Sequence, residues 1–168
     1  DGVYVKQNFS YPVAEKVNAY VDLNYYTKHD FKNVYGVNWH NGDNHYELQY
    51  GSFEDGDDHW IKKEPTLTYR YGTRRLGDTP FNYYLGTEIG RWKDDFKTSW
   101  HKKYYVGLNR DPINFGKTLH LYTGTEYSIT EESYDDSRVN SWSYDATLVK
   151  EVNPRLAVFT GYHYTKNT

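Results

Sequence analysis

Several groups of side chains have types and spacings that could do chemistry. Asp55, Asp57 and Asp58 follow Glu54 in one short run, and carboxylates so placed on a flexible segment suit a hard divalent cation such as calcium. The run departs from the EF-hand pattern, so it reads as a solvated loop. Glu131, Glu132, Asp135 and Asp136 could meet cation-bridged anionic head groups, but they read first as another loop kept soluble by charge. The seven His show no metal-ligand spacing, and His40 and His45 merely flank a turn, so no metal is expected. Ser, His and Asp all occur, yet no nucleophile elbow and no Gly-rich phosphate loop accompanies them. No catalytic residue and no cofactor is assigned, and the chain is expected not to be an enzyme. Arg91, Lys102 and Lys103 beside Trp92 and Trp100 read as snorkelling residues at an apolar–water boundary, with contacts to anionic head groups as the alternative.

The elements that must carry these residues follow from composition and period. The 168 residues show no break in composition, so one domain over 1–168 is expected. Tyr is abundant, at 20 residues, while Leu, Ile and Val are scarce for a soluble core of this size. Tyr and Trp carry an apolar ring with a polar tip and collect where apolar medium meets water. Mean hydropathy is −0.98, and no run approaches the length of a transmembrane helix. A membrane β-strand escapes that test, because only alternate residues need be apolar. Cysteine is absent, which removes disulfides and thiolate sites. A formal net charge of −3 carries no nucleic-acid footprint.

Read in steps of two, ten segments place apolar or aromatic residues on one parity and polar residues or Gly on the other. The clearest sets Val17, Ala19, Val21, Leu23 and Tyr25 against Asn18, Tyr20, Asp22, Asn24 and Tyr26. The others centre on residues 3–11, 31–39, 46–50, 66–71, 81–89, 100–109, 119–129, 142–148 and 155–164. No segment repeats at three to four residues. The expected fold is therefore all-β, an antiparallel up-and-down meander of about ten strands, forming a transmembrane β-barrel or part of one.

A soluble sandwich would also alternate, but it needs a dense aliphatic interior. Here the apolar parity is mostly Tyr and Trp with scattered Val and Leu, which suits lipid better. Val21, Leu23, Leu67, Leu85, Val106, Leu121, Leu148 and Val158 are expected to face lipid. Glu47, Glu64, Arg70, Glu88, Glu126 and Asp145 are expected to face a polar lumen.

Membrane barrels alternate short periplasmic turns with longer outer loops. Pro12–Lys16, His40–Asn44, Asn109–Gly116 and Glu151–Pro154 read as tight turns, and Phe53–Lys63, Arg91–Lys97 and Thr130–Asn140 as longer loops. Lys28–Asp30, short for an outer loop, and Gly72–Pro80, long for a turn, are the exceptions. That assignment puts both ends on the outer side, and the chain stops at Thr165-Lys166-Asn167-Thr168 without a terminal aromatic residue. A fragment of a larger barrel is the expectation.

The stretches Asp1–Pro12, Trp60-Ile61-Lys62-Lys63-Glu64-Pro65, Ser99-Trp100-His101, Val152-Asn153-Pro154-Arg155-Leu156 and Gly161-Tyr162-His163-Tyr164 resemble the barrel region of the LPS-assembly protein LptD family, in the shorter form of Negativicutes-type bacteria. The resemblance implies a translocon in the bacterial outer membrane that receives lipopolysaccharide from periplasmic bridge proteins, passes it through a lateral opening and is plugged by a lipoprotein partner. No periplasmic jellyroll and no cysteine accompany it, and the strands are too few for that family's barrel, so no functional residue transfers individually. The expected function is lipopolysaccharide transport and assembly, with outer-membrane lipid and lipopolysaccharide as partners. A passive porin-like channel and a soluble carbohydrate-binding β-sandwich are the alternatives.

Overall fold

The computed structural model describes residues 3–27, 30–54, 60–154 and 156–168. Asp1, Gly2, Lys28, Arg155 and the acidic run Asp55, Asp57 and Asp58 lie outside them. The strands are β1 (Tyr4–Ala14), β2 (Val17–Tyr26), β3 (Asp30–Phe31), β4 (Val34–Asn41), β5 (Asn44–Glu54), β6 (Trp60–Arg75), β7 (Phe81–Lys93), β8 (Thr98–Asn114), β9 (Leu119–Glu132), β10 (Ser137–Asn153) and β11 (Leu156–Asn167). They form one sheet in the order β1-β2-β4-β5-β6-β7-β8-β9-β10-β11, with β3 paired to β2 off that path. Nine of the ten alternating segments of the sequence each fall on one strand, and the tenth, 31–39, spans β3 and β4. The all-β antiparallel up-and-down meander is the one its period implied.

The chain forms two compact units. The first comprises residues 1–70, 87–103 and 131–137, and the second residues 71–86, 104–130 and 138–168.

The segment expected over 31–39 is split, for a visible reason. Asn33 accepts the Asn24 amide through its side-chain Oδ1, and Asn24 Nδ2 donates to the Lys32 carbonyl. A side chain thus replaces a backbone partner at that point and interrupts the ladder between β3 and β4. Beyond it the register is regular, with Tyr20 opposite Gly36 and Gly36 opposite Gln49.

The connectors differ from expectation. Strand enters both expected loops: β7 continues to Lys93, and most of Thr130–Asn140 is strand, leaving turns at 94–97 and 133–136. Asp94 closes the first turn: its Oδ1 accepts the amides of Phe96 and Lys97, and its own amide donates to the Lys97 carbonyl. In the second, Asp136 has φ 51° and Asp135 Oδ1 accepts the Ser137 amide. Hydrogen bonds from Ser137, side chain and backbone, hold the Asp135 carboxyl below the usual carboxylate range. Gly72–Pro80 contracts to residues 76–80 because β6 continues to Arg75, and β8 runs through Pro112 to Asn114. Charged residues do not forbid a strand whose backbone is paired, so charge density marked strand ends rather than loops.

Burial is inverted relative to a soluble domain. In the first unit the buried residues are Val34, Gly36, Gly51, Thr66, Gly90, Ser99 and His101; in the second they are Gly72, Gly86, Gly107 and Ser128. Val34 is the single buried aliphatic or aromatic side chain among the described residues. Phe9, Tyr35, Leu48, Tyr50, Leu67 and Trp100 of the first unit are exposed, as are Leu85, Tyr104, Val106, Tyr127, Trp142 and Val158 of the second. Of the residues expected to face lipid, Val21, Leu23, Leu121 and Leu148 are half-buried. On the apolar parity, rings form ladders across strands. Trp39 stacks on Tyr46 at 4.9 Å, Tyr46 meets Tyr69 at 5.0 Å, and the Tyr69 hydroxyl donates to Asn44 Oδ1. In the second unit Tyr127 meets Trp142 edge-on, and Trp142 Nε1 donates to Thr125 Oγ1.

Candidate functional site

The polar parity carries the candidate site, and each unit builds it from a tyrosine, a glycine and an acid on three successive strands. In the first unit Tyr20 of β2 lies across Gly36 of β4. A Cβ at Gly36 would sit 2.3 Å from the Tyr20 ring, so only glycine leaves room for it. The Tyr20 hydroxyl then donates to Glu47 Oε1 at 2.6 Å and accepts from Gln49 Nε2 at 2.8 Å on β5. Asn8 Nδ2 also donates to Asp22 Oδ1 on this face.

Further along the same unit, Lys63 Nζ meets Glu88 Oε1 at 2.6 Å and lies 4.6 Å from the Trp92 ring and 4.9 Å from that of Phe53. Trp92 Nε1 donates to Thr66 Oγ1, and Thr66 is wholly buried against Gly90. The Trp92 indole stacks on the His101 imidazole at 3.6 Å, nearly parallel, and His101 Nδ1 lies 2.5 Å from Glu132 Oε1. The Ser99 and Ser133 hydroxyls accept the amides of Tyr134 and Trp100 respectively. These groups satisfy one another, as buried polar groups must.

Glu64 stands apart from the other acids expected on this face. Its carboxylate pairs with Lys62 at 2.5 Å, and the Lys62 ammonium lies 5.2 Å from the Tyr50 ring, on the ring-bearing parity. The alternation slips in β6: Lys63 and Thr66, three residues apart, both reach Trp92. Pro65 lies between them and has no amide to give the ladder. Arg70 is exposed on β6.

In the second unit Tyr84 of β7 lies across Gly107 of β8, where a Cβ would sit 2.1 Å from the ring. Its hydroxyl donates to Glu126 Oε2 of β9 at 2.9 Å. Beside it opens a cleft of about 550 Å³ lined by Tyr84, Asn109, Tyr122, Glu126, Asp145 and Thr147, among others. Asp145 Oδ1 is 2.6 Å from His163 Nδ1, and Thr165 Oγ1 is 2.9 Å from His163 Nε2. The tautomer protonated at Nδ1 satisfies both contacts, donating to Asp145 and accepting from Thr165.

Among the described residues no cluster of three or more His, Asp or Glu could hold a metal ion. His40 and His45 face each other across the β4–β5 turn with ring centres 6.2 Å apart. Sequence reasoning missed Lys63, Thr66, Trp92 and His101 as one cluster. It could have found the two tyrosine joints, because Tyr20 is a large ring on the polar parity of its strand and Gly36 and Gly107 share that parity on theirs.

An antiparallel meander that buries glycine, hydroxyls and paired charge while exposing Tyr, Trp and Leu has the fold of an outer-membrane β-barrel. A solved structure bears this out: OmpTdeltaL8, a loop L8 deletion mutant of OmpT, an outer membrane protein of Vibrio cholerae, superposes with a TM-score of 0.52 at 14% identity over 97% of this chain. The chain spans 57% of that protein's length. It matches no family model and no curated protein.

Proposed function

We propose that this chain is part of a bacterial outer-membrane β-barrel whose polar parity lines a water-filled, non-catalytic passage for small polar solutes. The observation that carries this reading is the inverted burial: apart from Val34 the covered residues are glycine, hydroxyls and His101, while rings and aliphatics are left uncovered. Water on one face and hydrocarbon on the other is the arrangement in which neither set is misplaced. The open cleft at Glu126 and Asp145 supplies the hydrated groups that such a passage needs. The test is reconstitution of the outer-membrane polypeptide carrying this chain into planar bilayers. Stepwise ionic conductance without any added partner is expected. A folded, inserted protein that stays silent would overturn the reading.

A second reading, delivery of lipopolysaccharide, rests on the resemblance to the LptD family in phrases that fall on β1, β6, β8 and the β10–β11 hairpin. It requires periplasmic bridge proteins and a plug lipoprotein. A photo-crosslinker at Tyr122, on the cleft, separates the two: capture of lipopolysaccharide in living cells supports delivery, and conductance with no capture supports the passive passage.

A further inference from the structure

Among the described residues, the ring-bearing face of the first unit gathers three cations about one carboxylate. Lys62 and Lys63 are neighbours but point to opposite sides: Lys63 reaches Glu88 and Trp92, and Lys62 lies over Tyr50. Tyr50 is on the side away from Glu47 and Gln49, which hold Tyr20. On β7, Arg91 and Lys93 flank Trp92, whose indole is turned to Thr66 and His101. Successive side chains of a strand alternate, so Arg91 and Lys93 are on the Lys62 side. Gly90 of β7 abuts Thr66 of β6, which brings the following residues of β7 alongside the preceding residues of β6. Arg91 and Lys93 accordingly act on the Glu64 carboxylate, which already pairs with Lys62. Three cations thus share one carboxylate, and both Arg91 and Lys93 are exposed. Asp94 in the adjoining turn spends its Oδ1 on the amides of Phe96 and Lys97. Trp100, adjacent to the inward His101 and itself 54% exposed, adds an indole to the same side.

We infer that Lys62, Arg91 and Lys93, gathered about Glu64 beside Tyr50 and Trp100, form a seat for the anionic phosphate headgroup of a membrane lipid on the outer surface of the sheet. Cations at an interface beside amphipathic rings attract anionic lipid, and a guanidinium matches phosphate oxygens in a bidentate fork. Glu64 fixes Lys62, and the exposed Arg91 and Lys93 beside it present their charges to the ligand. The inference rests on the ring-bearing face touching lipid, and its test reads insertion separately.

The outer-membrane polypeptide carrying this chain is inserted into nanodiscs of phosphatidylcholine containing a minor fraction of phosphatidylglycerol, and the lipids retained on release are counted by native mass spectrometry. The inserted protein is expected to retain phosphatidylglycerol preferentially. The variant Lys62→Gln/Arg91→Gln/Lys93→Gln should lose that preference by roughly thirtyfold, the scale expected for removing the two exposed cations Arg91 and Lys93 from a surface. Glu64→Gln, which removes the competing carboxylate, should strengthen it. Equal retention by the inserted wild type and triple variant overturns the seat. Weaker retention by Glu64→Gln overturns the role given to Glu64, and displacement of the lipid by free glycerol phosphate at equal concentration overturns its assignment to lipid. A protein that fails to insert at all overturns the membrane reading itself.

Discussion

The two units contain the same joint in different surroundings. Tyr20 over Gly36 reaching Glu47, and Tyr84 over Gly107 reaching Glu126, are one device used twice: a ring fills the gap above a glycine and anchors to an acid one strand further on. Around the first joint the polar face is filled. Gln49 adds a second bond to the tyrosine, and Lys63, Glu88, Trp92, His101 and Glu132 lock together beyond it. Around the second, the face stays open as a cleft. Sheet architecture and joint are shared, so the difference lies in what each unit lays over its polar side. The filled side gains rigidity from satisfied, part-buried groups, while the open side leaves Glu126 and Asp145 on the wall of a cleft.

If that contrast is confined to the polar side, the other side should behave alike in both units. Leu67→Arg in the first and Leu85→Arg in the second should each cost about 2–4 kcal/mol at mid-membrane, measured by urea unfolding in lipid vesicles; a large disparity would break the comparison. The next effect should separate the units. Gly90→Ala drives a Cβ to 2.7 Å from the Thr66 Cα, where backbone cannot yield, and should cost about 1–3 kcal/mol. Gly124→Ala meets the end of the Asn109 side chain beside the cleft and should cost under about 0.5 kcal/mol, because that amide can swing away. Equal costs in the same assay would mean that the cleft is not open. Tyr20→Phe, which strands both Glu47 and Gln49, should cost about 2 kcal/mol against about 1 kcal/mol for Tyr84→Phe. Smallest of all, Asp145→Asn removes an exposed pair with His163 and should change stability by under about 0.5 kcal/mol. It should nevertheless shift the reversal potential of the reconstituted protein away from cations, measured under a salt gradient.

The strands were legible because each exposes alternate rings to one medium, and a period of two survives even when hydropathy is low. The turn at Asn41-Gly42 was legible too, since Gly42 takes a positive φ of 58°. Strand lengths were not: Asp94 and Asp135 end their hairpins by binding turn amides, a role indistinguishable in sequence from that of a solvated loop acid. Glu64 shows the limit of parity counting, for one irregularity near Pro65 carried it to the other face and no local signal marks the slip. The stacking of Trp92 on His101 needed the β7–β8 pairing to be known. Tyr20 and Tyr84 were half-legible: their parity set them apart, but their glycine and acid partners lie on other strands.

The short turns at 94–97 and 133–136 have a consequence for how the protein meets hostile surroundings. Lys97 and Arg138 are cleavage points for trypsin-like proteases, yet each sits in or beside a tight hairpin whose backbone is already engaged. Proteolysis requires an extended, unpaired stretch of chain, so digestion would have to wait for the hairpin to unzip.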